Sequence, residues 1–155
     1  MSLTPQQIAE ATRDAMWATD RASQALGMQV LAVGPGSATL TMTVRADMLN
    51  GQGTCHGGLV TTLADSAFAL ACNAYNEITV AAGFDVNLVA AARLGDVLTA
   101  TARETSKAGR TGVYDIAVAN QRGDAVAVFR GRSYSAKGKA VVAGLPVGKQ
   151  PGSAR

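Results

Sequence analysis

The clearest alternation of polar and apolar residues lies between residues 37 and 45. Leu40, Met42 and Val44 alternate with threonines there, and a period of two predicts a strand with one buried face. The Gly-Pro-Gly step at residues 34–36 is typical of a turn. Residues 28–45 are therefore predicted to form a hairpin.

A helical pattern precedes this hairpin. Thr4 is a suitable N-cap, Pro5 suits the first helical position, and Gln7 completes a capping box. The apolar residues that share one helical face are Ile8, Ala11, Ala15 and Met16. We predict an N-terminal helix over about residues 4–26 that ends near Gly27.

A second and more apolar helix is predicted from Gly57 to about Tyr75. Asp65 is the one carboxylate within this segment. An unpaired charge in a helix that packs on most sides costs several kcal/mol. Asp65 is therefore either a structural hydrogen-bond acceptor or a carboxylate kept for its chemistry.

Four further strands follow the apolar helix. They are predicted at about residues 79–90, 97–107, 111–120 and 124–136. Consecutive hairpin-like strands imply an antiparallel sheet, and an apolar helix has to be wrapped by it. The fold class is therefore α+β, as a single domain over residues 1–137. Residues 138–155 lack periodicity and are predicted to form a mobile C-terminal tail.

Composition narrows the function classes. Of the 155 residues 48% are hydrophobic and 16% are charged, which argues against disorder and suggests a homo-oligomer that buries apolar surface. The net charge of +3 comes from scattered cations, so no nucleic-acid partner is expected. Two cysteines and one histidine are too few for a metal cluster. No segment resembles a signal peptide or a membrane span, so a cytoplasmic protein is expected.

Asp65 and Gly57 together suggest acyl chemistry. A helix that begins near Gly57 has unpaired N–H groups, and a residue without Cβ lets a carbonyl approach them closely. Asp65 would activate water or attack an acyl carbon. Eight residues place Asp65 about 12 Å along the axis from Gly57, too far to act on one carbonyl. Such a site has to be completed by a second subunit across a two-fold axis.

Other interpretations of the same residues remain open at this point. The glycines at 57 and 58 are also common for packing reasons at helix starts, and His56 is also common as a structural histidine. Cys55 and His56 are a poor catalytic pair, because neighbours in sequence usually point apart. Ser66 lacks a GxSxG elbow.

These residues resemble those of the hotdog-fold acyl-CoA thioesterases, and in particular the phenylacetate-degradation (PaaI) branch. The resemblance covers about residues 22–135. Its central motif is His56-Gly57-Gly58 followed by Asp65. The flanking matching segments are 42–44, 48–51, 63–69, 71–73, 95–102, 111–116, 120–121 and 129–131.

The resemblance implies a fold, a reaction and roles for individual residues. The fold is a curved antiparallel sheet wrapped around a long central helix. Asp65 would be the catalytic general base or nucleophile, and the Gly57 N–H would polarise the thioester carbonyl. Asn50 and His56 would orient water or the acyl group. Members share these sites across a dimer, often stack dimers into tetramers and need no cofactor, because coenzyme A is part of the substrate.

The chain also departs from the family pattern. Residues 90–91 are Ala-Ala where relatives often have Arg-Pro, and residues 82–83 are Ala-Gly where some relatives place a hydroxyl. The CoA contacts therefore have to come from other cations, because Arg and Lys favour diphosphates. The candidates are Arg93, Arg110, Arg130, Arg132 and Lys137.

The function that this resemblance implies is hydrolysis of phenylacetyl-CoA, or of a ring-hydroxylated relative, in aromatic acid degradation. The alternative is a noncatalytic hotdog module that binds acyl-CoA as a sensor or scaffold. A hotdog dehydratase is disfavoured, because that chemistry needs an Asp/His pair on the substrate and the single histidine lies at the helix start.

Overall fold

The computed structural model of the protein describes residues 2–151. Its helices are α1 (Pro5–Trp17), α2 (Arg21–Ala25) and α3 (Gly57–Asn73), with a short 3-10 turn at Ala46–Met48. Its strands are β1 (Gln29–Gly34), β2 (Ser37–Thr43), β3 (Glu77–Leu88), β4 (Val97–Ala108), β5 (Thr111–Ala119) and β6 (Ala125–Ala140). The predicted hairpin, central helix and four later strands are thus all present.

The six strands form one antiparallel sheet in the order β1-β2-β4-β5-β6-β3. The chain crosses along α3 from the β1–β2 hairpin to the far edge of the sheet, where β3 pairs with β6. Since α3 packs on one face of this sheet, the predicted α+β arrangement of a sheet around a central helix is confirmed. Strands β1 and β3 are the two edges.

The core lies between α3 and the sheet. Phe68 on α3 meets Tyr114 and Phe129 on β5 and β6, with ring centroids 5.5 and 5.9 Å apart. Gly131 lies directly under the Phe68 ring, where a Cβ would come within 2.7 Å of it. These tilted aromatic pairs fix α3 against the sheet, because the ring occupies a space that only glycine leaves free.

The N-terminal helix differs from the prediction. The continuous helix expected over residues 4–26 is wrong, because α1 ends at Trp17 and α2 begins after Asp20. The Asp20 side chain accepts a hydrogen bond from the Ser23 N–H at 3.0 Å and so starts a new helix. The capping box at Thr4 is present as predicted.

The C-terminal segment also differs from the prediction. Strand β6 runs to Ala140, past the domain end expected at residue 137. The Asn76 side chain then accepts from the Val142 N–H at 2.7 Å, and the Gly148 N–H donates to the Tyr75 carbonyl at 2.9 Å. Residues 152–155 of the predicted tail lie outside the described residues. In the described part of the chain no helix is long and apolar enough to cross a membrane.

Candidate active site

Helix α3 carries Asp65 on the side that the sheet leaves partly open. The residues that face the sheet, such as Leu63 and Phe68, are buried. The half-exposed residues on the other side are Gly57, Leu59, Thr61, Thr62, Asp65, Ser66 and Ala69. This open face of α3 is made mainly of small side chains, so a second helix can approach it closely.

Asp65 itself is half-buried and unpaired. Within residues 2–151 no group donates a hydrogen bond to its carboxylate and no cation forms an ion pair with it. Burial raises the pKa of Asp65, and the negative charge of Asp20 raises that pKa further. A structural hydrogen-bond acceptor would have a donor. The environment instead yields a more basic carboxylate, which suits proton abstraction or nucleophilic attack.

Helix α2 forms the wall next to Asp65. Ser23 on α2 lies 2.8 Å from Ser66 through their hydroxyl oxygens, and the Ser23 hydroxyl donates to Asp20 at 2.7 Å. Ser23 is buried. This short chain of hydrogen bonds holds Asp20 beside the turn of α3 that carries Asp65. Asp20 is a neighbour of the site that the sequence analysis missed.

The N-terminus of α3 leaves the backbone donor of Gly57 free. The imidazole Nδ1 of His56 accepts from the Gly58 N–H at 3.1 Å, and the His56 carbonyl accepts from Leu59 N–H at 2.9 Å. The Gly57 N–H has no acceptor among the described residues. It is the unsatisfied donor that an incoming carbonyl requires.

Gly57 opens onto a cavity of about 380 Å³. Its walls include Asn50, Cys55, Val60 and Leu88. A Cβ at position 57 would collide with the Leu88 side chain, so the packing interpretation of this glycine also holds. Burial raises the pKa of Cys55, which leaves its thiol protonated and excludes it as a thiolate nucleophile.

Asn50 shapes the loop that covers this cavity. Its side-chain oxygen accepts from the backbone N–H groups of Gln52 at 2.9 Å and Thr54 at 3.2 Å, and its Nδ2 donates to the Thr54 hydroxyl at 3.1 Å. The structure therefore places Asn50 and Gly57 on this cavity, whereas His56, the N-cap of α3, lines a separate cavity. Asp65 lies two turns further along α3, too far from Gly57 of the same chain to act with it on one carbonyl.

The candidate phosphate ligands separate into two groups. Arg130 forms a bidentate pair with Asp115 at 2.7 and 2.9 Å, and Arg132 pairs with Asp85 at 2.7 Å. These two guanidinium groups are already engaged. Arg93, Arg110 and Lys137 form no ion pair within residues 2–151 and stay available. Arg93 follows the loop that lines the Gly57 cavity, whereas Arg110 and Lys137 share a different cleft.

Comparison with known proteins identifies the family of this chain. The sequence profile of the Thioesterase superfamily matches residues 52–127. Acyl-coenzyme A thioesterase PaaI of Escherichia coli strain K12 is 44% identical over 120 residues, which cover 77% of this chain and 86% of that protein. The chain belongs to the thioesterase superfamily. The resemblance inferred from the sequence is thereby confirmed.

Solved structures of this superfamily have the same fold. The E. coli PaaI structure, from the phenylacetic acid degradation operon, superposes with a TM-score of 0.86 at 40% identity and covers 88% of this chain and 99% of its own. The smu.793 protein of Streptococcus mutans, solved with acetyl CoA, gives a TM-score of 0.68 at 26% identity, over 70% of this chain and 87% of that one.

Proposed function

We propose that this protein is an acyl-CoA thioesterase that hydrolyses phenylacetyl-CoA, or a ring-hydroxylated relative, to the free acid and CoA. The observation that carries the proposal is the unpaired, half-buried carboxylate of Asp65 on the open face of α3. The phenylacetyl group is suggested by the E. coli relative, which is a thioesterase from a phenylacetic acid operon. Both cysteines are free, which fits the reducing cytoplasm as its location.

The reaction needs water, a carboxylate and a helix N-terminus. In one route Asp65 takes a proton from water as the water oxygen bonds to the thioester carbon. The carbonyl oxygen then gains negative charge, which the Gly57 N–H stabilises. Collapse of this intermediate breaks the C–S bond, and the proton passes from Asp65 to the leaving thiolate. In the second route a carboxylate oxygen of Asp65 bonds to the thioester carbon, and the C–S bond breaks to release the CoA thiolate, which is protonated by water. Water then hydrolyses the resulting anhydride to the free acid and the Asp65 carboxylate.

The catalytic unit in this proposal is a homodimer. Strand β3 is an unpaired edge of 12 residues, and exposed apolar side chains such as Val80, Phe84 and Leu88 lie along it. A long apolar edge strand readily pairs with another strand. Pairing of β3 with its copy extends the sheet and sets the open faces of the two α3 helices against each other. Stacking of two such dimers into a tetramer is part of the proposal.

The position of the two-fold axis follows from how α3 lies along β3. Gly57 lies against Leu88 at one end, and at the other end the Asn73 side chain donates to the Thr79 carbonyl at 2.9 Å. Asp65, midway along α3, is therefore level with about residues 83–84 of β3. An axis that brings Asp65 of one subunit level with Gly57 of the other crosses β3 near Val86.

A thiol-release assay tests the proposed activity. The purified protein is given phenylacetyl-CoA, its ring-hydroxylated relatives and straight-chain acyl-CoAs. We expect release of free thiol from the aryl substrates, and Asp65→Asn is expected to reduce kcat by about 10² to 10⁴ because it removes the base. Asp124→Asn, on the exposed loop between β5 and β6, is the matched control.

The same variants separate the enzyme from a noncatalytic acyl-CoA-binding module. A module that only binds would release no thiol from any substrate, and Asp65→Asn would leave its affinity for acyl-CoA unchanged. If the wild-type protein hydrolyses no member of the panel, the enzyme proposal is wrong.

A further inference from the structure

We propose that Phe84 determines which acyl groups the protein accepts, because its ring is a fixed aromatic surface on which a flat aryl group stacks. This inference rests on the proposed function and on the proposed homodimer. Phe84 lies on the edge strand β3 and packs on the inner face of the sheet, against Phe129. It is nevertheless 40% exposed in the single chain, so part of its ring is left for another molecule to cover.

A missing side chain explains the orientation of the Phe84 ring. Its cross-strand partner on β6 is Gly131, which has no side chain to meet it. The ring packs instead on Phe129, the diagonal neighbour, with centroids 4.6 Å apart and ring planes inclined by 28°. Diagonal neighbours in a sheet are within reach of aromatic side chains. This stacked arrangement covers one face of the Phe84 ring.

The rings behind Phe84 hold it in place. Phe129 is 1% exposed and also contacts the ring of Phe68 on α3, which in turn contacts Tyr114. A continuous series of rings therefore runs from the core to the edge of the sheet and ends at Phe84. The second face of the Phe84 ring has no aromatic partner within residues 2–151. A ring that is already fixed loses little conformational entropy when a ligand stacks on it.

Phe84 occupies the strand position that lies beside the proposed catalytic carboxylate. The contacts at the two ends of α3 place Asp65 level with about residues 83–84 of β3. Asp65 lies on the open face of α3, and Phe84 lies on the inner face of the adjacent edge strand. The ring of a phenylacetyl group is joined to the reacting carbon through a single methylene. It therefore stays close to this position while Asp65 acts on the thioester.

The proposed dimer brings the other half of the site to the same ring. When two β3 strands pair about Val86, Phe84 lies opposite Leu88 of the partner subunit, with Cβ atoms about 4.5–5.5 Å apart. Within each chain Leu88 is the side chain that lies against Gly57. Phe84 and Asp65 of one subunit therefore both meet the end of the partner subunit that carries Gly57. A thioester whose carbonyl binds that N–H places its acyl group between Phe84 and the partner subunit's Leu88.

These two walls treat acyl groups differently. Leu88 is 52% exposed and can pack against any apolar group, flat or not. A flat aromatic ring gains in addition from stacking on Phe84, because offset aromatic pairs contribute a factor of about threefold to tenfold beyond the area that they bury. A saturated ring of the same size is puckered and lacks this gain. Preference for aryl groups over other apolar groups is therefore assigned to Phe84.

Two thioesters with the same number of carbon atoms test this role. Phenylacetyl-CoA and cyclohexylacetyl-CoA differ only in whether the ring is aromatic and flat. We expect Phe84→Leu to reduce kcat/KM for phenylacetyl-CoA about threefold to tenfold more than kcat/KM for cyclohexylacetyl-CoA. Phe84→Tyr keeps the ring and should keep the wild-type ratio of the two values.

Tyr134→Leu is the matched control, because it removes a ring of similar exposure, 45%, from the outer face of β6. It should leave the ratio of the two kcat/KM values unchanged. Phe84→Met fills a similar volume with a flexible side chain and replaces Phe84→Leu if that variant folds poorly. If Phe84 only packs the dimer interface, its variants change kcat/KM for both thioesters equally, and the proposal is wrong.

Calorimetry with the same two thioesters separates the role of Phe84 from the proposed activity. If the wild type hydrolyses neither thioester, the affinity of wild type and of Phe84→Leu for each one is measured directly. A loss of about threefold or more that is confined to phenylacetyl-CoA supports the role of Phe84, although the activity is then wrong. If the wild type hydrolyses both thioesters and Phe84→Leu leaves their ratio unchanged, the activity holds and the role of Phe84 is wrong.

Discussion

The Ser23 hydroxyl lies 2.8 Å from the Ser66 hydroxyl, and this contact joins α2 to the turn of α3 that carries Asp65. Through Ser23 it also fixes Asp20, whose carboxylate accepts from the Ser23 hydroxyl and backbone N–H. Two acidic side chains are thereby held near each other at the open face of α3. The negative charge of Asp20 makes the Asp65 carboxyl group harder to ionise and so raises its pKa.

The pH dependence of hydrolysis should therefore respond to Asp20. Burial first and the charge of Asp20 second raise the pKa of Asp65. Since the base acts ionised, kcat/KM should rise with pH through that pKa and level off above it. Asp20→Asn keeps the helix cap but removes the charge, so this rise should move to lower pH. Asp124→Asn on the β5–β6 loop is the control, and an unmoved profile would show that Asp20 does not act on Asp65.

Asp65 should also lower the stability of the fold at neutral pH. Its raised pKa means that the folded state holds the proton more tightly than the unfolded chain does. The free energy of unfolding therefore falls as pH rises from the unfolded pKa, about 3.9, through the folded one. Asp65→Asn should melt at a higher temperature than wild type at pH 7, with the gap narrowing toward pH 4. A lower melting temperature at pH 7 would contradict this account.

Gly57 has two reasons to be glycine, and a pair of substitutions separates them. A Cβ there collides with Leu88 and also narrows the approach to the Gly57 N–H. We expect Gly57→Ala to reduce kcat/KM by about 10², the effect of displacing a carbonyl by about 1 Å. In a Leu88→Ala background the collision is gone. If the double variant recovers the kcat/KM of the Leu88→Ala variant, the collision with Leu88 alone explains why residue 57 is glycine. If kcat/KM stays low, Gly57 is needed for its role in the oxyanion site.

The sequence was most informative where one local pattern decides the structure. Alternation of threonine with Leu40 and Met42 predicted β2, which the structure has at Ser37–Thr43. The break between α1 and α2 was missed because no glycine or proline interrupts residues 17–21. Asp20 can cap a new helix there instead of continuing α1. The apolar periodicity continues through this position, so the sequence pattern gave no sign of the break.

Contacts that depend on strand register could not be predicted from the sequence. Arg130 and Arg132 were equal candidates for phosphate until register placed Asp115 opposite Arg130 and brought Asp85 within reach of Arg132. The position of Asp65 relative to Gly57 was derivable, because helix rise is constant. The effect of Asp20 on Asp65 could not be predicted, because it depends on how α2 packs on α3. Residue spacing along the chain does not show that packing.

The C-terminal segment should contribute to stability through Asn76. This buried residue has a φ of 56°, and its amide bonds to the Val142 N–H and to the carbonyls of Val142, Leu145 and Pro146. Asn76→Ala loses these bonds and strains the backbone, so it should cost about 2–4 kcal/mol.

Asn76→Gly isolates the contribution of the side chain. It relieves the strain and should cost about 1 kcal/mol less than alanine. Urea unfolding measures both variants. If Asn76→Gly matches the wild type, the amide contacts add nothing and the segment after β6 is not fixed by them.

The proposed dimer predicts a specific cross-link. An antiparallel pair of β3 strands centred near Val86 places this residue opposite its own copy, with Cα atoms about 4.5–5.5 Å apart, a separation that a disulfide spans. Val86→Cys should therefore form a covalent dimer on mild oxidation, and substitutions at Phe84 and Leu88 should cross-link less.

Thr43→Cys at the exposed end of β2 is the matched control for this experiment. The two natural cysteines are buried and should not interfere. The covalent Val86→Cys dimer should retain thioesterase activity, because the bond forms within the native pairing. A protein that elutes as a dimer yet fails to cross-link at any position from 84 to 88 would place its interface elsewhere. Asp65 and the Gly57 of the partner subunit would then not form one site.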